Sequence, residues 1–236
     1  MQKLMSRMRA AMQKYNMLED GDRVAVGVSG GKDSLSLLYA LAEMRRYYPK
    51  KYEVVAISLD MRFGDKDTDY SEIEKLCEGL GVEYRIKRTE LAKVIFEYRN
   101  EKNPCSLCAK MRRGALHDLA KECGCNKLAL GHHMDDAAET FMMNLLSGGH
   151  IGSFCPVTYL SRKDITVIRP MVLADESMVS CAARHAQLPV IKSACPMDGV
   201  SERENMKKLI AELDKQYPPL REKIIGAMQR REIDHW

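Results

Sequence analysis

Three short stretches of the chain hold residues whose types and spacing suit chemistry: Ser29-Gly30-Gly31-Lys32-Asp33-Ser34, Cys105-Ser106-Leu107-Cys108, and Gly131-His132-His133-Met134-Asp135-Asp136. The first follows the apolar run Val24-Ala25-Val26-Gly27-Val28 and precedes Leu35-Ser36-Leu37-Leu38, so it reads as a strand, a glycine turn and a helix start. Such a turn aims successive backbone N–H groups and the positive end of a helix dipole at one spot, which suits a phosphate or pyrophosphate. Glycines let the backbone approach the anion without a Cβ in between. Ser29 and Ser34 add hydroxyl donors and Lys32 adds charge. Asp33 is out of place beside phosphates unless it caps the helix or holds Mg²⁺. The spacing is neither G-x-x-x-x-G-K-[ST] nor G-x-G-x-x-G.

The cysteine pair stands in Pro104–Gly114, where it opens a helix among Lys110, Arg112 and Arg113. A helix N-terminus and nearby cations favour thiolates there. Taken alone, the pair fits a redox couple, half a zinc site or part of an iron–sulfur site. Cys195, in Ala194-Cys195-Pro196-Met197-Asp198, is the third ligand the sequence offers, because Leu188-Pro189-Val190-Ile191 before it can return the chain to a cleft mouth. Three thiolates can hold an iron–sulfur cluster while leaving one iron open to an exogenous ligand. Cys77 and Cys181 fall within helical patterns and read as core residues. Cys123, Cys125 and Cys155 leave a competing zinc site open.

In the third stretch a strand end leads into a helix whose first turn holds Asp135 and Asp136. Carboxylates there serve as caps or dipole partners, or at the ligand end of a sheet they hold Mg²⁺ or act as general base. His132 and His133, being adjacent, face different ways and make a poor metal pair.

The elements that must position these groups follow from periodicity. Apolar, β-rich runs recur at 23–28, 53–59, 83–86, 127–130 and 166–169, with helix-period segments between most of them. That alternation predicts an α/β fold: a doubly wound, mostly parallel five-stranded sheet with N- and C-terminal helices. Ligands of such sheets sit at the carboxyl ends of the strands, which brings the glycine turn, Asp60 and Gly131 to one cleft. Residues 1–20 read as an amphipathic helix bearing Met1, Leu4, Met5, Met8, Met12 and Tyr15 on one face, a packing or dimer surface. Residues 21–175 form the nucleotide-binding domain, and residues 176–236 a helical extension carrying Cys195. The stretch from Leu146 to Thr166 has no helical period and reads as a long binding loop or lid.

With 236 residues, 45% of them hydrophobic, the chain can bury a full core. It has no signal-peptide pattern and no apolar run of about 18 residues, so a soluble cytoplasmic protein is expected. Eight cysteines in that setting are not a disulfide framework. The net charge is only +4, but residues 84–113 hold nine Lys/Arg against three Glu, a basic face suited to a phosphate backbone.

Together these motifs resemble the tRNA 2-thiocytidine synthetase (TtcA-like) family of the PP-loop ATP pyrophosphatases, whose fold is adenine nucleotide alpha hydrolase-like. The likeness runs from about Leu4 to Leu220 and takes in Ser29–Ser34, Pro104–Gly114, Gly131–Asp136, Ile168-Arg169-Pro170 and the tail from Glu204 to Pro218. It implies ATP-dependent adenylation of a cytidine in the tRNA anticodon loop and replacement of its oxygen by sulfur delivered on an iron–sulfur cluster. The cofactors implied are ATP, Mg²⁺ and a 4Fe–4S cluster. The partners implied are tRNA, a cysteine desulfurase or free sulfide as sulfur donor, a homodimer, and no membrane. Ser29, Gly30, Gly31, Lys32, Asp33, Ser34, Asp60, Gly131 and His132 would bind the nucleotide and its metal. Asp135, Asp136 and Lys32 would be catalytic, Cys105, Cys108 and Cys195 would hold the cluster, and Lys110, Arg112 and Arg113 would meet RNA. Where relatives commonly carry a second C-x-x-C, this chain has Cys195-Pro196-Met197-Asp198, so sulfur is expected on the cluster and not on a cysteine pair. Lysidine formation, thiolation of a uridine or small molecule, and a non-catalytic RNA-binding or redox module are the alternatives.

Overall fold

A computed structural model describes residues 1–99, 104–192, 194–197, 199 and 202–236. The chain runs α1 (Gln2–Lys14), β1 (Asp22–Gly27), α2 (Lys32–Met44), β2 (Tyr52–Asp60), α3 (Ser71–Leu80), β3 (Glu83–Arg88), α4 (Leu91–Lys93, continuing as a π-helical turn Val94–Tyr98) and α5 (Pro104–Glu122). It continues through β4 (Lys127–Ala129), α6 (Met134–Leu146), β5 (Val157–Leu160), β6 (Ile165–Ile168), α7 (Glu176–His185), α8 (Glu202–Gln216) and α9 (Leu220–Arg230), ending in a 3-10 turn, Ile233–His235. The sheet order is β3-β2-β1-β4-β6-β5, parallel except for β5 against β6. The order reverses between β1 and β4, which opens a crevice at their carboxyl ends.

Alternation along the central strands feeds two cores. Val24, Val26, Val54 and Ala56 face the larger one, with α1, α2 and α7, while Ala25, Val55 and Ile57 face the smaller, under Leu119 and Ala120 of α5. Burial on both faces is why these strands read as continuous apolar runs. A third cluster of Met61, Ala92, Ile95 and Cys108 packs the α4 region against the start of α5.

Two expectations are corrected. Among the described residues the sheet has six strands, not five: β5 lies inside the stretch expected to be a loop and pairs Val157 with Ile168 and Leu160 with Ile165. Cys181 is exposed, because α7 turns Val179, Ala182 and Ala183 inward instead, whereas Cys77 is buried. The methionine face of α1 is used within the chain: Leu4, Met8 and Met12 are fully buried against α2 and α7, which takes that face away from a second copy. No helix among the described residues is long and apolar enough to cross a membrane.

Candidate active site

The glycine turn closes on itself through its serines. Ser29 N–H donates to Ser34 Oγ at 3.1 Å, and Ser34 Oγ donates to the Gly31 carbonyl at 2.9 Å. Gly30 has φ +84°, a conformation glycine adopts without strain, and an added Cβ would meet Ile191 at 3.2 Å. Ile191 N–H donates to the Gly30 carbonyl at 2.9 Å, so the segment leading to Cys195 is bonded to the turn. Gly131 is needed for close approach: a Cβ there would lie 3.1 Å from Asp33 C and Ser34 N, so the end of β4 nearly touches the start of α2.

Around this contact the ionisable groups are dense. Lys32 Nζ lies 3.0 Å from Asp33 Oδ1 and 3.1 Å from Glu176 Oε1. Burial opposes its charge, but the two carboxylates prevail and hold its pKa above the usual lysine value. Asp33 Oδ1 is buried and has no hydrogen-bond partner; the nearby ammonium is close without being aligned. His133 caps α6: its N–H donates to Asp136 Oδ2 at 2.9 Å, and Asp136 N–H donates to His133 Nδ1 at 3.4 Å. Asp135 Oδ2 accepts the Glu176 N–H at 2.7 Å, and its Oδ1 lies 2.8 Å from Arg221 Nε, an ion pair whose N–H is not aligned for a hydrogen bond. Arg203 NH1 donates to Asp136 Oδ1 at 3.0 Å.

Several residues here were not singled out by sequence. Glu139 is 3% exposed; burial, and then Asp136, push its carboxyl up to about 7. It lies one turn beyond Asp135 and Asp136 on α6, a spacing that would have flagged it. Glu176, Lys207, Arg203 and Arg221 come from helices far along the chain, and no local pattern marks them. His132 faces away from His133. It lies against Phe154 at 5.0 Å between ring centroids and accepts at Nδ1 from Arg169 Nε at 3.3 Å. Burial, then Arg169, depress its pKa to about 4, so at neutral pH it is an uncharged imidazole with its proton assigned to Nε2. Asp60 sits at the end of β2, where its carboxylate accepts from Thr68 N–H at 2.9 Å, Thr68 Oγ1 at 3.1 Å and Arg62 N–H at 3.1 Å, so it holds the following loop.

The thiols stand on the same side of the sheet. Helix α5 runs back across the sheet, so its first turn, with Pro104 in the favoured first-turn position, places Cys105 and Cys108 at the carboxyl end. Cys108 lies within electrostatic reach of both Cys105 and Cys195. Burial pushes its thiol up, Arg112 pulls against that, and the other two cysteines push it up again. A favoured thiolate was expected there; the apolar cluster around Met61 and Ile95 outweighs the cation. Among the described residues no three His, Cys, Asp or Glu side chains are gathered in metal-holding geometry, so the thiols are neighbours and not a closed cage. The donor set itself, sulfur only, with one cysteine from a separate segment, fits a soft metal centre such as iron–sulfur. Cys123 and Cys125 lie at the opposite end of the sheet, just before β4, which rules out a shared site with Cys105 and Cys108. Lys110, Arg112 and Arg113 are exposed on the first turns of α5.

Residues 2–210 match the PP-loop domain family. The tRNA-cytidine(32) 2-sulfurtransferase of Syntrophotalea carbinolica is 41% identical over 221 residues, covering 92% of this chain and 85% of that protein. Its counterpart in Geobacter sulfurreducens is 38% identical with the same coverage. Among solved structures, the U34-tRNA thiolase NcsA from Methanococcus maripaludis, with its 4Fe–4S cluster, superposes with a TM-score of 0.79 at 28% identity, covering 97% of this chain and 77% of that one. The fold and the glycine turn thus define a PP-loop ATP-binding protein. Within that class the chain belongs to the tRNA-cytidine(32) 2-sulfurtransferase family.

Proposed function

We propose that the protein is an ATP-dependent tRNA thiolase that replaces O2 of a cytidine in the anticodon loop with sulfur. The observation that carries the reading is the meeting, at one end of one sheet, of the glycine turn, the Asp135–Asp136 helix start and the thiols Cys105, Cys108 and Cys195.

Pyrimidine O2 is a poor leaving group, so it must first be activated. Its attack on the α-phosphate of ATP releases pyrophosphate and leaves the base as an O2-adenylate; sulfide then adds at C2 and AMP departs. Ser29, Gly30, Gly31, Lys32 and Ser34 would bind the phosphates. Asp33 Oδ1, buried and without a hydrogen-bond partner, is the oxygen best placed to ligate Mg²⁺. Gly131 lets the second motif approach the nucleotide, and neutral His132 presents an Nε2–H on its far side. Asp60 shapes the loop at the end of β2. Asp135 and Asp136, each tied to an arginine, would orient the reacting base. Cys105, Cys108 and Cys195 would hold an iron–sulfur cluster, which would offer an iron site for sulfide, taken from solution or freed from the persulfide of a cysteine desulfurase by a thiol reductant. A base in a single-stranded loop can be splayed out to reach the crevice, and Lys110, Arg112 and Arg113 would neutralise the backbone beside it.

The test is anaerobic incubation of the purified protein with tRNA, ATP, Mg²⁺ and sulfide, followed by nucleoside mass spectrometry, with iron and acid-labile sulfide measured on wild type and on Cys195→Ala. Formation of 2-thiocytidine with AMP release, lost together with iron in the variant, is expected. Thiouridine, an amine-modified base, or ATP binding without turnover would overturn the reading.

A further inference from the structure

Helices α8 and α9 bring Arg203, Lys207 and Arg221 to Asp136, Glu176 and Asp135, and of these acids Glu176 is shared with Lys32. Glu176, the first residue of α7, lies 3.1 Å from Lys32 Nζ through Oε1 and 2.7 Å from Lys207 Nζ through Oε2. All three side chains are partly buried, at 25% exposure for Glu176, 32% for Lys32 and 39% for Lys207. We propose that Lys207 is a positioning residue for nucleotide binding: by holding the Glu176 carboxylate, it leaves Lys32 free to exchange that carboxylate for the phosphates of ATP. The inference rests on the proposed ATP chemistry and adds a residue to it.

When Lys32 turns to a phosphate it leaves an acid behind. Burial favours the neutral form of Glu176, yet hydrogen bonds from Lys207 and Lys32 pull its pKa down to about 2, so the carboxylate is charged while both lysines hold it. A partly buried carboxylate that loses its last cation carries an uncompensated desolvation penalty. With Lys207 in place, departure of Lys32 toward a phosphate still leaves Glu176 paired. Without it, the exchange strands the carboxylate, and the cost is charged to ATP binding. Asp33, the other partner of Lys32, is in a different position, because Mg²⁺ arriving with the nucleotide replaces the ammonium. Lys207 also faces Glu139, so a test must separate the two acids.

The experiment uses the full-length protein, calorimetric titration with a Mg²⁺-bound non-hydrolysable ATP analogue, and steady-state thiolation with ATP varied. Lys207→Met should raise the Kd for the analogue and the KM for ATP about fivefold, as expected for loss of one partly buried pair, while KM for tRNA is unchanged. Adding Glu176→Gln should bring both within about twofold of wild type, and Lys207→Arg should bind as wild type does. A purely structural role predicts no rescue. Unchanged affinity in Lys207→Met, or equal weakening in the double variant, overturns the proposal. If Lys207→Met fails to fold, Glu176→Gln alone decides it: binding at least as tight as wild type supports the exchange, and weaker binding overturns it. Failure of the wild type to bind the analogue would instead refute the ATP reading itself.

Discussion

At the amino end of the sheet Arg23 pairs with Glu53 and Glu83, and Lys127 with Asp22, so each of these acids has a cation against it. A cleft of about 490 Å³ between β3 and the end of α5 is lined by Glu83, Arg85, Lys87, Glu122 and Cys123, with Glu83 paired to Arg85 and Lys87 to Glu122. At the carboxyl end the acids are buried or share cations: Asp33 Oδ1 has no hydrogen-bond partner, Glu139 is pushed toward neutrality, and Glu176 is divided between two lysines. The smaller cleft, about 330 Å³, touches Lys32. Charge that is paired where it stands stabilises a fold modestly; charge held with unfilled valence is disposed to accept a ligand.

The contrast is sharpest for Gly131→Ala. The new methyl would sit 3.1 Å from backbone atoms of Asp33 and Ser34, which cannot yield as a side chain would. Displacement of the phosphate turn should lower kcat/KM for ATP by about 10- to 100-fold with tRNA affinity unchanged. An alanine variant with full activity would mean that the two motifs do not act as a unit.

An intermediate effect is expected from Glu139. Its folded pKa of about 7 stands above the reference value of 4.5, so between those pH values the folded state binds a proton that the unfolded state lacks. Stability must therefore fall as pH rises across that window, by about 3 kcal/mol at most from this group. Glu139→Gln should flatten the dependence in denaturant melts between pH 5 and pH 8. An unaltered slope would show that the carboxyl is solvated after all. The smallest effect belongs to the amino end: Glu53→Gln should cost about 0.5 kcal/mol or less and leave thiolation unchanged. A loss of turnover there would erase the distinction between the two ends.

How much of this could be read in advance depended on how local the cause was. The central parallel strands were legible because strands covered on both faces must be apolar throughout, and edge strand β3 because Tyr84 and Ile86 alternate with charged residues. Strand β5 was not, since Val157-Thr158-Tyr159-Leu160 lies at the sheet edge with Tyr159 exposed and is embedded among glycine, serine and proline. The glycine turn and the Asp135–Asp136 helix start were legible as contiguous motifs. Their juxtaposition through Gly131 was not, for it depends on two backbones passing within contact distance. The cations Arg203, Lys207 and Arg221 were invisible because charge on an amphipathic helix looks alike whether it meets water or a buried acid. Cys108 misled for the same reason: Arg112 was visible one turn away, whereas Met61 and Ile95, which desolvate the thiol, are distant in sequence.

The hydrogen bond from Ile191 to Gly30 has a consequence for reach. Cys195 is four positions beyond Ile191, and an extended chain covers at most about 3.6 Å per residue, so Cys195 lies within roughly 14 Å of an anchor on the phosphate turn. The bond therefore sets an upper limit on how far the Cys195 thiol can lie from the glycine turn, although the two belong to different parts of the sequence. Nearness to the ATP-binding turn is thus fixed for this cysteine by covalent reach and one backbone hydrogen bond.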